Sequence, residues 1–331
     1  MPALAPVLDF PAQLRWGLDV PEPTSQGGRP IVLLGMGGSA MAASVGALAV
    51  HTDVPIVVHR GYGLPSWAPS VGALVVAVSY SGNTEEVLSG VAEAIRSGLP
   101  LAAVTSGGEV AAESERARFP LVLVPDGLQP RAALGYQVAA VLRVLGGAGA
   151  ASGVSAQLDE AAAVLDELLG EGDGVAFRVG SDLAAGLEGR VAVIYGGSGP
   201  GALAAYRWKT QINENAGMPA CSGEVPELNH NELAGWGTLT ELANRWVGMV
   251  FLRDRFDDAR IARRLDLTAE VLSGKVTTVG AAYSMGEGPL ARFCSLAVIG
   301  DVASVMMAET ADVDPAPVRV VEDFKVRLRG E

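Results

Sequence analysis

The chain has 331 residues, of which 49% are apolar and 18% charged, and its formal net charge is −13. This length is enough for two domains with their own cores, and the composition fits a compact α/β protein and argues against disorder. The acidic balance argues against nucleic-acid and membrane-surface partners. No apolar run reaches the roughly 20 residues that span a bilayer, and the first residues lack a signal-peptide pattern. Two cysteines form neither a disulfide framework nor a metal cluster, and we expect a cytoplasmic protein.

Short apolar strands alternate with helices in the first half of the chain. After a predicted helix over Asp9–Leu18, the predicted strands are Ile31–Leu34, Val54–Val58, Leu74–Val78, Leu101–Thr105 and Leu121–Val124. The predicted helices between and after them are Ala40–Val50, Glu85–Ser97 and Pro130–Leu145. Such alternation predicts an α/β fold with a doubly wound parallel sheet. The segment Gly146–Gly153 is the best candidate linker, which predicts domains over residues 1–150 and 151–331.

The second half repeats part of this pattern. The predicted elements are helix Ser155–Leu169, strand Val191–Tyr195, helix Ala202–Gln211, strands Val247–Leu252, Val276–Val279 and Leu296–Ile299, and a helix or extended segment over Val318–Leu328. Ile31–Ala43 and Val191–Ala205 both contain a strand, a Gly-Gly-Ser turn and an Ala-rich helix. This weak internal repeat suggests two similar α/β domains in tandem.

The most informative segment is Ser79–Thr84, which follows a buried strand and precedes a helix. Its hydroxyls and its glycine lie at a helix N-terminus, where free N–H groups and the helix dipole favour an anion such as a compact phosphate. An ordinary N-cap with a polar turn is the alternative interpretation. The second Gly-rich turn, Gly35–Ser39, has neither dinucleotide-binding spacing nor a P-loop lysine. We expect Gly37, Gly38 and Ser39 to approach the same ligand as Ser79, Ser81 and Thr84.

Taken together, the motifs resemble those of the sugar isomerase (SIS) domain proteins, and among them the bifunctional phosphoglucose/phosphomannose isomerases. The resemblance rests on motifs in the family's order across nearly the whole chain: GMGGSAM (Gly35–Met41), SYSGNTEE (Ser79–Glu86), Pro130-Arg131, KTQINENAGMPA (Lys209–Ala220), ELNHNEL (Glu227–Leu233) and a lysine close to the C-terminus. It implies two flavodoxin-like SIS domains per subunit and a homodimer with the active site at the subunit interface. It also implies a hexose 6-phosphate substrate and no metal or organic cofactor.

By the same resemblance, Gly37, Gly38 and Ser39 line the sugar phosphate site, and Ser79, Ser81 and Thr84 hold the phosphate oxygens. Glu214 is the base, and Arg131 stabilises the intermediate. His230 assists ring opening, reaching the site from the partner subunit, and Lys325 assists ring opening or positions the ring oxygen.

Aldose–ketose isomerisation explains why these residue types are suitable. A carboxylate such as Glu214 has a usable basicity for moving a proton between C1 and C2. The cis-enediolate is negative, so a permanent cation such as Arg131 lowers the barrier. His230 and Lys325 are types that exchange protons in ring opening. Each of these four residues also has a structural alternative. Glu214 has that of a solvated glutamate, Arg131 that of a local cap or salt bridge, His230 that of a loop histidine, and Lys325 that of a basic tail.

One departure from the family pattern concerns the mannose epimer. The resemblance leads us to expect a threonine a few residues before the C-terminal lysine, but Ala311–Phe324 contains no Thr or Ser and Thr310 is the nearest. We therefore expect interconversion of glucose 6-phosphate and fructose 6-phosphate and leave mannose 6-phosphate open. Two alternatives remain: a non-catalytic sugar-phosphate-binding regulator, and an isomerase of another phosphosugar.

Overall fold

The computed structural model describes residues 2–171, 173–238, 240–316 and 318–328. The chain forms two compact units. The first consists of residues 9–166 and 286–291, and the second of residues 1–8, 167–285 and 292–331. Most of the helix that follows the predicted linker belongs to the first unit, and a domain boundary at residue 150 stays a prediction.

The helices, in chain order, are α1 (Ala5–Leu8), α2 (Phe10–Trp16), α3 (Gly37–Ala49), α4 (Glu85–Arg96), α5 (Gly108–Ala117), α6 (Leu134–Gly147), α7 (Val154–Leu169), α8 (Val175–Leu187), α9 (Pro200–Asn215), α10 (Glu232–Gly235), α11 (Thr240–Trp246), α12 (Ala259–Leu272), α13 (Pro289–Thr310) and α14 (Arg319–Leu328). The strands are β1 (Ile31–Leu34), β2 (Ile56–His59), β3 (Leu74–Val78), β4 (Leu101–Thr105), β5 (Leu121–Leu123), β6 (Val191–Gly197), β7 (Ala220–Val225), β8 (Val247–Arg253) and β9 (Thr277–Tyr283). Within the described residues, 3-10 helices cover Pro2–Leu4, Gly17–Asp19 and Glu227–His230.

The first unit contains a parallel sheet with strand order β2-β1-β3-β4-β5. Its central strands β1, β3 and β4 are buried along their whole length, which explains their continuous runs of Val, Ile, Leu and Ala. Alternate residues of each strand enter two apolar clusters, one on each face, as Leu33 and Leu34 illustrate. The doubly wound parallel fold predicted from the sequence is confirmed.

The second unit contains a parallel sheet with strand order β7-β6-β8-β9. Matching β6, β7, β8 and β9 to β1, β2, β3 and β4 gives the same order as in the first sheet. The internal repeat around the Gly-Gly-Ser turns therefore reflects a repeated topology.

The predicted strand over Leu296–Ile299 is wrong, because these residues lie inside helix α13. A helix that is apolar on all sides shows no amphipathic period, and a short apolar run from it resembles a buried strand. Helix α13 is long and apolar enough to cross a membrane, but 89% of its apolar window is buried inside the protein, as in a core helix.

Candidate functional site

In the first sheet, the crevice for a ligand lies at the carboxyl ends of β1 and β3. The chain leaves β1 towards β2 and leaves β3 towards β4, in opposite directions, so the two following turns separate at this point. Open α/β sheets bind ligands at such a topological switch point. The turn at Gly37–Ser39 follows β1 and the loop Ser79–Thr84 follows β3. The structure thus brings both predicted phosphate-binding segments together.

The hydroxyls of the Ser79–Thr84 loop leave protons available for an anion. The Ser79 Oγ and Thr84 Oγ1 atoms are 2.9 Å apart and share one hydrogen bond, so one of the two O–H groups remains free to donate. The Ser81 Oγ accepts a hydrogen bond from the Asn83 N–H at 3.3 Å and keeps its own proton. Thr84 precedes α4 without capping it through its side chain. The alternative interpretation as an ordinary side-chain N-cap is therefore not favoured.

Glycines hold this loop in a tight conformation. Gly82 has φ 69°, and a Cβ atom there would lie 1.9 Å from the Gly107 carbonyl oxygen. The Val110 N–H donates to the Gly82 carbonyl, and the Glu109 N–H donates to Asn83 Oδ1. The start of α5 therefore braces the loop from behind, and a side chain at position 82 would displace it.

The turn after β1 offers backbone donors. Gly37 has φ 51° and begins α3, and the N–H groups of Gly37 and Gly38 donate to no other described residue. They are the orphan donors of a helix N-terminus, suited to an anion. The Ser39 hydroxyl is committed elsewhere: it donates to Gln137 Oε1 at 2.7 Å and accepts from the Tyr80 N–H at 3.0 Å. The predicted contact of Ser39 with phosphate stays a prediction, and it requires this hydroxyl to leave Gln137.

Arg131 lies in the turn before α6 rather than inside a helix, because α6 begins at Leu134. Its side chain is buried, with 8% of the residue exposed. A Cβ atom on Gly38 would lie 3.1 Å from both the Arg131 nitrogen and the Pro130 carbonyl oxygen. The absence of a side chain at Gly38 thus lets the turn of Arg131 approach the N-terminus of α3.

Gln137 is a residue of this site that the sequence analysis missed. It lies in the first turn of α6, is completely buried, and its Nε2 donates to the Pro130 carbonyl at 2.8 Å while its Oε1 accepts from Ser39. The signal in the sequence was a glutamine within a run of apolar helix residues. Such a residue is expected to be buried, and buried polar side chains are normally hydrogen-bonded to another polar group.

In the second unit, Glu214 lies in the last turn of α9, partly exposed and between two anchored asparagines. Asn213 Nδ2 donates to the Met218 carbonyl at 2.8 Å, and Asn215 Nδ2 donates to Ser304 Oγ at 2.9 Å. These two hydrogen bonds, one on each side of Glu214, fix the orientation of the turn that carries the carboxylate.

Helix α9 is also anchored further from Glu214. Arg207 and Asp301 form a buried bidentate ion pair, with Nε to Oδ1 at 2.9 Å and Nη2 to Oδ2 at 2.7 Å. Trp208 Nε1 donates to the Leu296 carbonyl at 2.8 Å. These contacts join α9 to α13 through bonds of defined geometry. They give the helix that carries Glu214 a rigid support.

His230 ends the 3-10 helix Glu227–His230, and its side chain is exposed. The segment is held by its neighbours: Leu228 is buried, and Asn229 Nδ2 donates to Thr268 Oγ1 of α12 at 2.8 Å. Asn229 Oδ1 also accepts from Arg264 of the same helix. The backbone next to His230 is therefore held in place, and the role of His230 in ring opening stays a prediction.

Glu214 and His230 lie on opposite faces of the second sheet. The chain runs from β6 through α9 to β7 in one direction, and from β8 through α12 to β9 in the other. Right-handed crossovers in opposite directions place α9 and α12 on opposite faces. Leu228 belongs to the apolar cluster that contains Leu265 of α12, so the segment of His230 packs on the α12 face.

Lys325 lies on α14, where every residue has an exposed side chain. Its neighbours include large apolar side chains, with Val320 76% and Phe324 64% exposed. The segment Val318–Leu328, predicted as a helix or an extended stretch, forms a helix over Arg319–Leu328. Its apolar side chains are uncovered in the single chain.

The second sheet has a similar switch point between β6 and β8, but the carboxylate of Asp257 lies against the end of β6 there. A Cβ atom on Gly197 would lie 2.3 Å from Asp257 Oδ1. Burial raises the pKa of Asp257 to about 6, with the Asp254 carboxylate adding to this effect. Asp254 itself is buried, accepting from Ser284 and paired with Arg292. A negative charge at this place disfavours a second phosphate.

Among residues 2–171, 173–238, 240–316 and 318–328, no group of three or more His, Cys, Asp and Glu side chains is arranged to hold a metal ion. The chemistry of the predicted site residues is that of proton transfer and anion binding.

Comparison with known proteins identifies the family. Residues 178–328 match the family described as bacterial phospho-glucose isomerase C-terminal SIS domain. The chain is 37% identical over 310 residues to a bifunctional phosphoglucose/phosphomannose isomerase of Caldicellulosiruptor bescii, covering 90% of this chain and 89% of that protein. A protein of the same name from Aquifex aeolicus is 34% identical, with 90% of each chain covered.

The fold has relatives among solved structures as well. A hypothetical protein from Thermus thermophilus superposes with a TM-score of 0.71 at 17% identity, covering 99% of this chain and 90% of the other. At this identity the likeness concerns the fold alone. The sequence comparisons carry the assignment, and the chain belongs to the family of bifunctional phosphoglucose/phosphomannose isomerases.

Proposed function

We propose that this isomerase interconverts glucose 6-phosphate and fructose 6-phosphate through a cis-enediolate, in the cytoplasm and as a homodimer. The observation that carries the proposal is a loop of hydroxyls at the switch point of the first sheet, in a chain of this family. The free protons of the loop and the N–H groups of Gly37 and Gly38 suit a dianionic phosphate.

In this proposal the phosphate anchors the sugar, and the reacting carbons lie at its other end. Binding energy from the phosphate, remote from C1 and C2, orients the sugar for proton transfer. The free O–H of the Ser79–Thr84 pair, the Ser81 O–H and the two backbone N–H groups supply four donors to its oxygens.

Glu214 takes the proton from C2 of the open aldose and returns it to C1. The enediolate carries negative charge, and Arg131 stabilises it because a guanidinium stays protonated at every working pH. The anchors of α9 support this role, because a base must be held within hydrogen-bond reach of one carbon-bound proton.

Ring opening places one proton on the ring oxygen while another leaves O1, and we assign these transfers to His230 and Lys325. The opposite faces occupied by Glu214 and His230 support a site that uses His230 of the partner subunit. We therefore place the complete site at an interface between two copies of the chain.

The test is a coupled assay of purified protein with fructose 6-phosphate, in which glucose 6-phosphate is oxidised by its dehydrogenase. The Glu214→Gln variant should lose at least about 100-fold in kcat, the lower end of the contribution of a positioned base. The exposed Glu224→Gln is the matched control and should behave as wild type. Wild-type protein that binds hexose phosphate without turnover would instead support the regulatory alternative.

Mannose 6-phosphate is the second substrate to assay. The segment Ala311–Phe324 has no hydroxyl side chain, and we propose that turnover of mannose 6-phosphate is slower than that of glucose 6-phosphate. Equal kcat/KM for the two epimers would contradict this.

A further inference from the structure

Two turns of the first unit meet at one buried side chain, Gln137. Its Oε1 accepts from the Ser39 hydroxyl at 2.7 Å, and its Nε2 donates to the carbonyls of Pro130 at 2.8 Å and Ala133 at 3.3 Å. Carbonyl oxygens can only accept, and this fixes which end of the amide is nitrogen. All the donors and the acceptor of this amide are therefore used.

The Ser39 hydroxyl extends this connection to the phosphate loop. While it donates to Gln137, it accepts from the Tyr80 N–H at 3.0 Å. Tyr80 lies between Ser79 and Ser81, the two serines of the loop. The path Tyr80 N–H to Ser39 to Gln137 to the Pro130 carbonyl thus joins the loop after β3, the turn after β1 and the turn that carries Arg131.

We propose that Gln137 is the positioning residue that sets the distance between the phosphate-binding loop and the Arg131 turn, a role that rests on the proposed function. The geometry at Gly38 supports it, because a Cβ atom there would lie only 3.1 Å from the Pro130–Arg131 peptide, at the place that Gln137 bridges. Gln137 touches no reacting atom; it acts through Ser39 and through the Pro130 carbonyl.

The amide performs two tasks that different substitutions separate. Gln137→Leu removes both the acceptor for Ser39 and the donor for Pro130. Gln137→Glu keeps the acceptor, but an ionised carboxylate cannot donate to Pro130 and faces its carbonyl oxygen. A protonated carboxyl group has one O–H and one acceptor, so it reproduces the bridge. Full burial favours that neutral form at lower pH.

The experiment measures kcat and KM for fructose 6-phosphate from about pH 6 to pH 9, with far-UV circular dichroism and thermal unfolding at each pH. Relative to wild type at the same pH, Gln137→Glu should lose at least about tenfold more in kcat/KM at the high end than at the low end, while its fold is retained. Gln137→Leu should be impaired equally at every pH. A Ser39→Ala, Gln137→Leu double variant should be little worse than Gln137→Leu alone.

Ser114→Ala is the control for the loss of a buried hydrogen bond elsewhere in the first unit, where Ser114 Oγ donates to the Phe119 carbonyl. It should lower the melting temperature without changing kcat/KM. The proposal is overturned if folded Gln137→Glu and Gln137→Leu match wild type at every pH, or if Gln137→Glu follows the wild-type pH profile.

Failure of the proposed function would appear differently, as wild-type protein without turnover. In that case the affinity for inorganic phosphate, measured by calorimetry, tests Gln137 by itself. Gln137→Leu should then bind phosphate at least about tenfold more weakly than Ser114→Ala. Equal affinities would overturn the role.

Discussion

Glu214 and His230 lie on opposite faces of the same sheet, although only one helix end and one strand separate them along the chain. Glu214 lies in the last turn of α9, β7 follows, and the chain then continues onto the α12 face at the segment of His230. A side chain cannot reach through a packed sheet, whose helices lie on both faces. One chain therefore presents Glu214, the proposed base, and His230 on two different sides of the sheet, which agrees with the proposed dimer in which each site takes one of these residues from each copy.

Ser81→Ala tests the phosphate-binding role of the loop. The proton of the Ser81 hydroxyl is free within the loop, so removing this hydroxyl deletes one donor to the phosphate. The Asn83 N–H, which donates to the Ser81 Oγ at 3.3 Å, also loses its acceptor. We expect KM for fructose 6-phosphate to rise about tenfold, the value of one charge-assisted hydrogen bond, with little change in kcat.

The control is the exposed Ser97→Ala, at the end of α4, which should leave both constants unchanged. If Ser81→Ala lowers kcat and leaves KM unaltered, the loop contributes to the chemical step and not to anchoring, and the assignment fails.

Lys325→Met tests whether a residue of α14 takes part in catalysis. No side chain of this helix is buried, so we expect no change in melting temperature. A proton-transfer role predicts a fall of about 100-fold in kcat. Arg327→Met, on the same helix, should retain both stability and activity. Wild-type kcat in Lys325→Met would show that the lysine belongs to a solvated basic tail.

Asp257→Asn should alter the pH dependence of stability. Burial raises the pKa of Asp257 to about 6, so from about pH 4 to pH 6 the folded state binds a proton that the unfolded chain has released. The stability from this group is present at low pH and is lost as the pH rises through 6. We therefore expect Asp257→Asn to raise the free energy of unfolding relative to wild type, and to do so more at high pH. After allowance for solvent screening, the gain near pH 8 should exceed the gain near pH 5 by about 1 kcal/mol.

Urea unfolding at both pH values measures this difference, with the exposed Asp182→Asn as control. A difference between wild type and Asp257→Asn that is the same at both pH values would show that the carboxylate is not held in its protonated form by burial.

The sequence predicted the parts of the fold that have a clear pattern. Strands such as Leu74–Val78 were found to the residue, because a fully buried parallel strand is a continuous apolar run with polar residues at its end. β7 (Ala220–Val225) was missed, since Ser, Gly and Glu interrupt it and its stability comes from pairing with β6. The helices α5, α8 and α12 were missed as well.

The candidate residues were found through motifs, whereas their supports were not. Asn213 and Asn215 flank Glu214 in sequence, but Arg207, Asp301 and Ser304 join α9 to α13 only after folding. Gln137 likewise bonds residues that are distant in sequence, such as Ser39. Buried polar partners of this kind depend on tertiary packing, which a single sequence does not specify.

Subunit complementation shows whether each site combines Glu214 of one chain with His230 of another. Glu214→Gln and His230→Ala are purified separately, shown to be nearly inactive alone, and then mixed under conditions that exchange subunits. We expect recovery of about a quarter of wild-type activity, because about half of the dimers are mixed and each mixed dimer has one intact site of two. Mixed dimers that form but remain inactive would contradict a shared site. If each site were built within one chain, every site in a mixed dimer would carry either Glu214→Gln or His230→Ala.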